Sequence, residues 1–211
     1  MSLLVPSSHD DSNTKEATKR LLTLSRNGFL KLKQLEELQS AGADLHVNHD
    51  APIYWASVYD QPELISKLVE AGADVHAQRD KSLVGASMYG NTASVKRLLE
   101  LGADVHARQE IALLAAINNN HLDVVDVLLK AGADVHAQNE KAISLASLRQ
   151  HADMIKRLRA AGAHLPKQVQ ENLEFANILI DLNKDANAAN DLRLLRVKDA
   201  KPDEDDDDLW R

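Results

Sequence analysis

Residues 120–135 read NHLDVVDVLLKAGADV, and this stretch contains the signals that decide the fold. Leu122, Val125 and Leu128 are three positions apart, so they lie on one face of an α-helix. Gly132 follows the apolar residues, and glycine at such a place is typical of the left-handed residue that ends a helix. The stretch therefore predicts a short amphipathic helix that is closed by a glycine.

The same pattern recurs along the chain at a fixed spacing of 30 residues. Gly-Ala-Asp begins at residues 42, 72, 102 and 132, and Gly-Ala-His begins in step at residue 162. Four apolar columns repeat with it: Ile53, Leu83, Leu113 and Ile143; Ala56, Ala86, Ala116 and Ala146; Ile65, Val95, Val125 and Ile155; Leu68, Leu98, Leu128 and Leu158. Such self-similarity indicates a repeat protein, in which each unit buries its apolar face by stacking on its neighbours.

Each unit also contains a second apolar segment, which is preceded by an acid. The acids are Asp50, Asp80, Glu110 and Glu140. A carboxylate there suits the N-terminus of a helix, where unpaired N–H groups and the helix dipole favour negative charge. A polar break follows, for example at residues 118–120. We therefore expect each unit to be helix, turn, helix, glycine cap and connector.

Residues 42–165, and 120–135 above all, resemble the ankyrin repeat in its second helix and following turn. The unit departs from that family because it is shorter than about 33 residues and lacks the Thr-Pro-Leu-His opening. The resemblance implies an all-α solenoid of stacked helix-turn-helix units with shortened connectors. It also implies a concave face, formed by first helices and connectors, that holds a protein partner. Arrays with such units are similar to ones found in viruses and bacteria, for which the compartment would be a host cytoplasm.

The repeat pattern divides the chain into five segments. We expect a disordered N-terminus at 1–13, a degenerate N-terminal capping repeat at 14–45 and four repeats at 46–165. A C-terminal helical cap or docking element is expected at 166–199, followed by an acidic, disordered tail at 200–211. Caps are needed because the end units would otherwise expose their stacking faces.

Composition and charge exclude several classes of protein. The chain has no cysteine, which excludes disulfides and thiolate metal sites and favours a cytoplasmic protein. The 25 basic and 32 acidic residues give a net charge of −7, but residues 203–208 are six consecutive acids, without which the balance is 25 against 26. The nearly neutral body argues against direct nucleic-acid binding. No apolar run approaches the ~20 residues that span a bilayer.

Histidine recurs at one position of each unit: His46, His76, His106 and His136. A metal site built from this column is unfavourable because packed helices lie about 8–10 Å apart, whereas zinc holds its ligands at about 2 Å. We interpret these histidines as structural residues that bond the backbone of the turn.

The sequence also lacks the signals of an enzyme or a cofactor site. Phosphate-binding loops, a glycine-flanked nucleophile and His-Glu-His metal spacing are all missing. Asp181–Asp185 imitates the start of a calcium loop, but Ala186 and Leu192 stand where that loop needs glycine and glutamate. We therefore expect a non-catalytic protein without a cofactor or metal.

Positions that vary between the units are the candidates for partner binding. They are Val58 and Tyr59, Met88 and Tyr89, Asn118 and Asn119, and Leu148 and Arg149. Tyrosine, methionine and arginine are enriched at protein interfaces, although ordinary surface variation is the alternative. Trp55 aligns with Gly85, and this pairing of a large with a small residue predicts that Trp55 packs in the core.

The acidic tail is a second candidate site, formed by Asp205, Asp206, Asp207, Asp208 and Trp210. Such a run is commonly a solvated segment, but it could also dock in a basic groove with the indole as an apolar anchor. Three functions follow. The chain is an adaptor or inhibitor of a protein partner, a nucleic-acid mimic that inhibits a basic nucleic-acid-handling protein, or a subunit that joins a larger assembly through 166–199. On its own we expect a monomer.

Overall fold

The computed structural model describes residues 8–165 and residue 167, and these residues form helices joined by short turns. The helices α1 to α10 are, in order, Ser8–Arg26, Leu32–Ser40, Val47–Val58, Pro62–Glu70, Ala77–Tyr89, Thr92–Glu100, Ala107–Asn118, Leu122–Lys130, Ala137–Leu148 and Ala152–Ala160. No strand occurs within the described part, which confirms the all-α prediction. None of these helices is long and apolar enough to cross a membrane. The predicted cap at 166–199 lies outside the described residues apart from residue 167, as does the whole tail at 200–211.

The helices form two layers. The first helices of the units, α1, α3, α5, α7 and α9, pack side by side in one layer, and α4, α6 and α8 pack side by side in the other. Neighbouring first helices make more extensive contacts with each other than neighbouring second helices do. We call the surface of α1, α3, α5, α7 and α9 that is turned away from the second helices the inner face.

The repeated apolar columns form the core between these layers. Leu68, Leu98, Leu128 and Leu158 are fully buried. In the first-helix column, Ile53 and Ile143 are also fully buried, and Leu83 and Leu113 expose only 1% of their surface. Ile155 is only partly buried, whereas Ile65, Val95 and Val125 in the same column are fully buried. The core therefore thins at the last described repeat.

The glycine caps form as the sequence predicts. Gly132 has a φ of 99°, which is in the left-handed region that glycine reaches without a Cβ penalty. Its N–H donates to the carbonyl of Leu129 at 3.1 Å, and the N–H of Ala133 donates to that of Leu128 at 3.0 Å. These bonds satisfy the last carbonyls of α8 and turn the chain toward the next repeat.

The connectors contain a left-handed turn in place of an extended finger. In α3, the residues Asn48, His49 and Asp50 all have a φ between 53° and 60°, and the right-handed helix begins only after them. The same three positions are left-handed in α5, α7 and α9. Left-handed backbone is unfavourable for residues with a Cβ, so the surrounding contacts must stabilise these turns.

The acid of each turn provides such a contact, because it bonds the following repeat. Asp50 Oδ1 accepts a hydrogen bond from the backbone N–H of Asp74 at 3.1 Å, and Asp80 Oδ1 accepts from that of Asp104 at 2.9 Å. Glu140 Oε2 accepts from the N–H of His164 at 3.1 Å. These acids precede the helix, as the sequence indicates, but their carboxylates join neighbouring repeats.

The repeated histidines bond the same acids. The Nδ1 atoms of His46, His76, His106 and His136 lie 2.8, 3.0, 2.5 and 2.6 Å from the carboxylates of Asp50, Asp80, Glu110 and Glu140. The prediction that these histidines bond turn backbone is therefore wrong for Nδ1, whose partner is the acid four residues later. The left-handed turn explains the difference, because it brings these two side chains together.

The beginning of the chain differs from the sequence prediction of disorder over 1–13. Helix α1 begins at Ser8, so residues 8–13 are helical, and residues 1–7 lie outside the described part. The backbone N–H of Asp44 donates a hydrogen bond to Thr18 Oγ1 of this helix at 2.9 Å.

One turn acid has an unsatisfied oxygen. Glu110 is buried, and its Oε2 has no hydrogen-bond partner among the described residues, whereas Asp80 at the same position bonds the next repeat. We expect Glu110→Asp to raise the free energy of unfolding by about 1 kcal/mol, because the shorter side chain moves the carboxylate to the place from which Asp80 accepts a hydrogen bond from the next repeat. Urea denaturation measures the change.

The matched control for this substitution is Glu140→Asp. Glu140 already accepts from His164, so its shortening removes a formed bond and should lower the free energy of unfolding. A loss of stability in both variants would show that the chain length of the acid, and not the unpaired oxygen, decides the outcome.

The histidine–acid pairs make stability depend on pH. The hydrogen bond to Glu110 and its charge raise the pKa of His106 above the ordinary 6.5, and the hydrogen bond to Glu140 raises the pKa of His136. Burial opposes ionisation of Glu140, but the hydrogen bonds from His136 and the N–H of His164 outweigh it and lower the pKa of Glu140 below 4.5. Asp104 and Asp134 add negative charge near these rings.

The sign of this dependence follows from linkage. The contribution of His106 and His136 is fully present below pH 6.5 and is lost as the pH rises through their raised pKa values. We expect the free energy of unfolding to fall as the pH rises above 6.5, and this fall to be smaller in the variant His106→Asn/His136→Asn. His49→Asn at an exposed position is the control, and an unchanged slope in the double variant would contradict the assignment.

Candidate functional site

The eight partner-binding positions predicted in the body of the chain lie where the first helices end. Tyr59, Tyr89 and Leu148 expose 44, 55 and 57 per cent of their surface. Asn119 and Arg149 are also exposed, whereas Val58, Met88 and Asn118 are half-buried. The predicted tail residues, Asp205 to Asp208 and Trp210, lie outside the described residues.

The position of this edge is set by polar side chains of the following repeats. Asn91 Nδ2 donates to the carbonyls of Ser57 and Val58 at 2.8 and 2.7 Å. His121 Nε2 lies 3.0 Å from the carbonyl of Met88, which can only accept, so this ring nitrogen carries the hydrogen. The ends of the first helices are therefore held by the next repeat.

Tyr59 also packs against the N-terminal unit. Its hydroxyl donates to the backbone carbonyl of Arg26 at 2.8 Å. Its ring lies against Gly28, at which a Cβ would come within 3.0 Å of Tyr59 Cδ1. Part of the Tyr59 side chain therefore joins α3 to the first unit, and the rest is exposed.

Aromatic side chains cluster at the N-terminal half of the inner face. Trp55 packs edge-on against Tyr54, with ring centroids 5.0 Å apart, and stacks on Tyr59 at 6.3 Å. Tyr89 is close enough to Tyr54 to contribute, after burial, to raising the pKa of its phenol. The cluster thus contains all three tyrosines and one of the two tryptophans of a chain with only 3% aromatic residues.

A groove of about 610 Å³ opens beside these rings. We call it the aromatic groove, and it is lined by Leu22, Thr23, Arg26, Asn27, Asn48, Ala51, Tyr54, Trp55, Gln78 and Lys81. These residues come from α1 and the turn after it, from α3 and from α5, so the groove crosses the first three units. No carboxylate lines it, and its two charged residues are both cations.

The prediction that Trp55 lies in the core is wrong, because Trp55 is only half-buried and lines the groove. Gly85 does accommodate a large neighbour, but that neighbour is Tyr54. A Cβ on Gly85 would lie 2.8 Å from Tyr54 Cε2 and 3.3 Å from Val58 Cγ2. The stripe of α3 that faces α5 therefore runs through residues four apart, 54 and 58, and it leaves Trp55 to face the groove.

Within the described residues, the two cations of the groove lack the acidic partners that four cations of the second helices have. Lys81 Nζ lies 5.1 Å from the centroid of the Tyr54 ring and 3.2 Å from Gln78 Oε1. Neither Lys81 nor Arg26 pairs with a carboxylate among the described residues. On the second helices, by contrast, four cations pair with acids: Lys67 with Glu70, Arg97 with Glu100, Lys156 with Asp153 and Arg157 with Asp126.

Most of this groove was not predicted from the sequence. The predicted binding positions are Val58, Tyr59 and their equivalents in the later repeats, whereas Ala51, Tyr54 and Trp55, which lie on the same helical stripe as Val58, were not among them. A usable signal is present, since residues three, four and seven positions before Val58 share its face. Lys81 stands 30 residues after Ala51 and follows from the same column, whereas Arg26 could not be inferred in this way because α1 does not follow the repeat pattern.

The described residues contain no group of three or more histidines, cysteines or acids placed to hold a metal ion. The repeated histidines His46, His76, His106 and His136 each pair with a single acid. The inner face offers a partner stacking, hydrogen bonding and charge pairing.

Comparison with known proteins agrees with this geometry. Residues 83–169 match a family model described as ankyrin repeats (3 copies). This part of the chain consists of ankyrin repeats. No match is found among curated proteins. The matched range begins in α5, and the units before it share the left-handed connectors and glycine caps of the matched repeats.

Ankyrin repeats are protein–protein interaction modules, and this ankyrin array presents its aromatic groove on the layer of first helices. The half of the inner face beyond Tyr89 has a different character. There Arg149 Nε donates to Asn118 Oδ1 at 2.8 Å, and the exposed apolar residue is Leu148. The two halves of the face therefore offer different contacts to a partner.

The packing of Tyr54 on Gly85 can be tested by a double-mutant cycle. Gly85→Ala should lower the free energy of unfolding by about 1 kcal/mol, because the new methyl group overpacks against the Tyr54 ring. In a Tyr54→Leu background the same substitution should be neutral or stabilising, since alanine favours a helix interior. Urea denaturation of the four proteins measures the coupling, and equal effects in both backgrounds would contradict this contact.

Proposed function

We propose that this protein is a non-catalytic adaptor or inhibitor that holds a protein partner on its inner face, centred on the aromatic groove. The observation that supports the proposal is the cluster of Tyr54, Trp55, Tyr59 and Tyr89 beside the unpaired cations Arg26 and Lys81. Tyrosine, tryptophan and arginine supply most of the binding energy at protein interfaces.

The rigidity of the array favours this function. The groove residues stand on helices that are fixed by the buried columns and by hydrogen bonds between repeats. A preformed surface loses little conformational entropy on association, so more of the contact energy appears as affinity. The predicted positions Val58, Tyr59, Met88 and Tyr89 border the groove, and Asn118, Asn119, Leu148 and Arg149 extend the face beyond it. We further propose a cytoplasmic location, which agrees with the absence of cysteine.

Two other functions rest on segments outside the described residues. The nucleic-acid mimic depends on residues 203–210, and the subunit of a larger assembly depends on 166–199. The inner face supports the adaptor or inhibitor more directly, because its aromatic groove lies within the described array.

The test compares single substitutions on one face in a pull-down from native lysate. Trp55→Ala and Tyr89→Ala should each weaken retention of the partner by about tenfold or more, as expected for central interface residues. Leu148→Ala is the matched control, since it removes an exposed apolar side chain from the other half of the face. Retention by the intact protein and by Leu148→Ala should be similar.

Circular dichroism on each variant separates lost binding from lost folding. A partner that is lost only with Leu148→Ala would move the binding centre to the C-terminal half. A partner that all three folded variants retain would exclude the inner face.

A further inference from the structure

We propose that the aromatic groove binds this chain's own acidic segment, residues 203–210, and that this segment competes with the external partner. The inference rests on the proposed function, because it assigns a regulator to the same groove. The proposed occupant is the segment of the same molecule. Occupation of the groove by a second copy of the chain or by an external ligand would contradict the proposal.

The groove and residues 203–208 carry opposite charges. Arg26 and Lys81 are the charged residues of the groove, and the described residues supply no carboxylate for either. Residues 203–208 are six consecutive acids, which account for nearly all of the excess negative charge of the chain. Four cations of the second helices already have acidic partners, whereas the groove sets two cations beside aromatic rings, without a carboxylate from the described part of the chain.

The apolar part of the segment matches the other half of the groove. Leu209 and Trp210 follow the acids directly. Trp55 is half-buried in the groove, with its ring between those of Tyr54 and Tyr59. An indole can stack on such rings, and the amides of Asn27, Asn48 and Gln78 can donate to carboxylates or backbone carbonyls.

The connecting chain is long enough to reach. Asp203 comes 36 positions after residue 167 (203 − 167). This length spans up to ~120 Å when extended, and ~54 Å as one continuous helix, the conformation expected for much of 166–199. Five first helices at about 8–10 Å each place the groove within ~40 Å of the last repeat. A tethered ligand has an effective concentration of about 1 mM, so even a weak interaction would occupy the groove.

Trp55 fluorescence in the full-length chain provides the test. The reference protein carries Trp210→Phe, so that Trp55 is its only indole. In this background the six acids are replaced by asparagine or glutamine, and quenching by acrylamide is measured. The quenching constant of Trp55 should rise about twofold when the acids are neutralised, because the half-buried ring loses its cover. Salt at about 0.5 M should have the same effect on the reference protein, since it screens the charges.

Substitutions in the groove supply the matched comparison. Lys81→Glu should release the segment as neutralisation does. Lys156→Glu, on the outer helix α10, should not, although it makes the same change of charge. Equal quenching constants in the reference and the neutralised protein would overturn the proposal. A release that depends on protein concentration, together with a dimeric mass in analytical ultracentrifugation, would overturn it in favour of a second copy.

The outcome can be separated from that of the proposed function. If neutralisation leaves Trp55 quenching unchanged while Trp55→Ala loses the partner, the groove is the binding site and the segment does not occupy it. If quenching changes while Trp55→Ala retains the partner, the segment docks and the partner binds elsewhere. If neutralisation changes Trp55 quenching and Trp55→Ala also loses the partner, neutralisation of the six acids should increase capture of the partner.

Discussion

The packing of each helix pair against the next is the constraint on which the rest of the structure depends. A pair such as α5 and α6 has apolar side chains on the faces that meet its neighbours, and these are buried only when the adjacent pairs are present. Burial of each leucine side chain contributes about 2 kcal/mol. The array is therefore stabilised by its interfaces between repeats, and every other contact works within the geometry that they set.

Hydrogen bonds between repeats make this geometry precise. Apolar contact alone is non-directional and would tolerate small shifts of one helix pair on the next. The carboxylates of Asp50 and Asp80 accept from backbone amides of the following connectors, and Asn91 and His121 bond the ends of the preceding first helices. Each repeat is thus held at both ends, which keeps the inner face in one shape.

The aromatic groove is a consequence of that shape. Close packing of the first helices requires small residues between them, and Gly85 leaves the space that the ring of Tyr54 fills. With Tyr54 packed there, Trp55 lines the groove beside it, and Lys81 lies over the Tyr54 ring. The concentration of aromatic residues at one end of the face therefore depends on a single glycine in the neighbouring repeat.

The sequence by itself determined the repeat length, the order of helices, the buried columns and the glycine caps, because all of these follow from periodicity and local backbone preference. It also indicated which side chains stand at the ends of the first helices. Only the tertiary structure decided that Tyr54 rather than Trp55 packs on Gly85, that the turn acids bond the next repeat, and that Arg26 meets Lys81 across one groove. These features depend on the stagger and orientation of neighbouring helices, which arise when the repeats stack and which no pattern within a single repeat records.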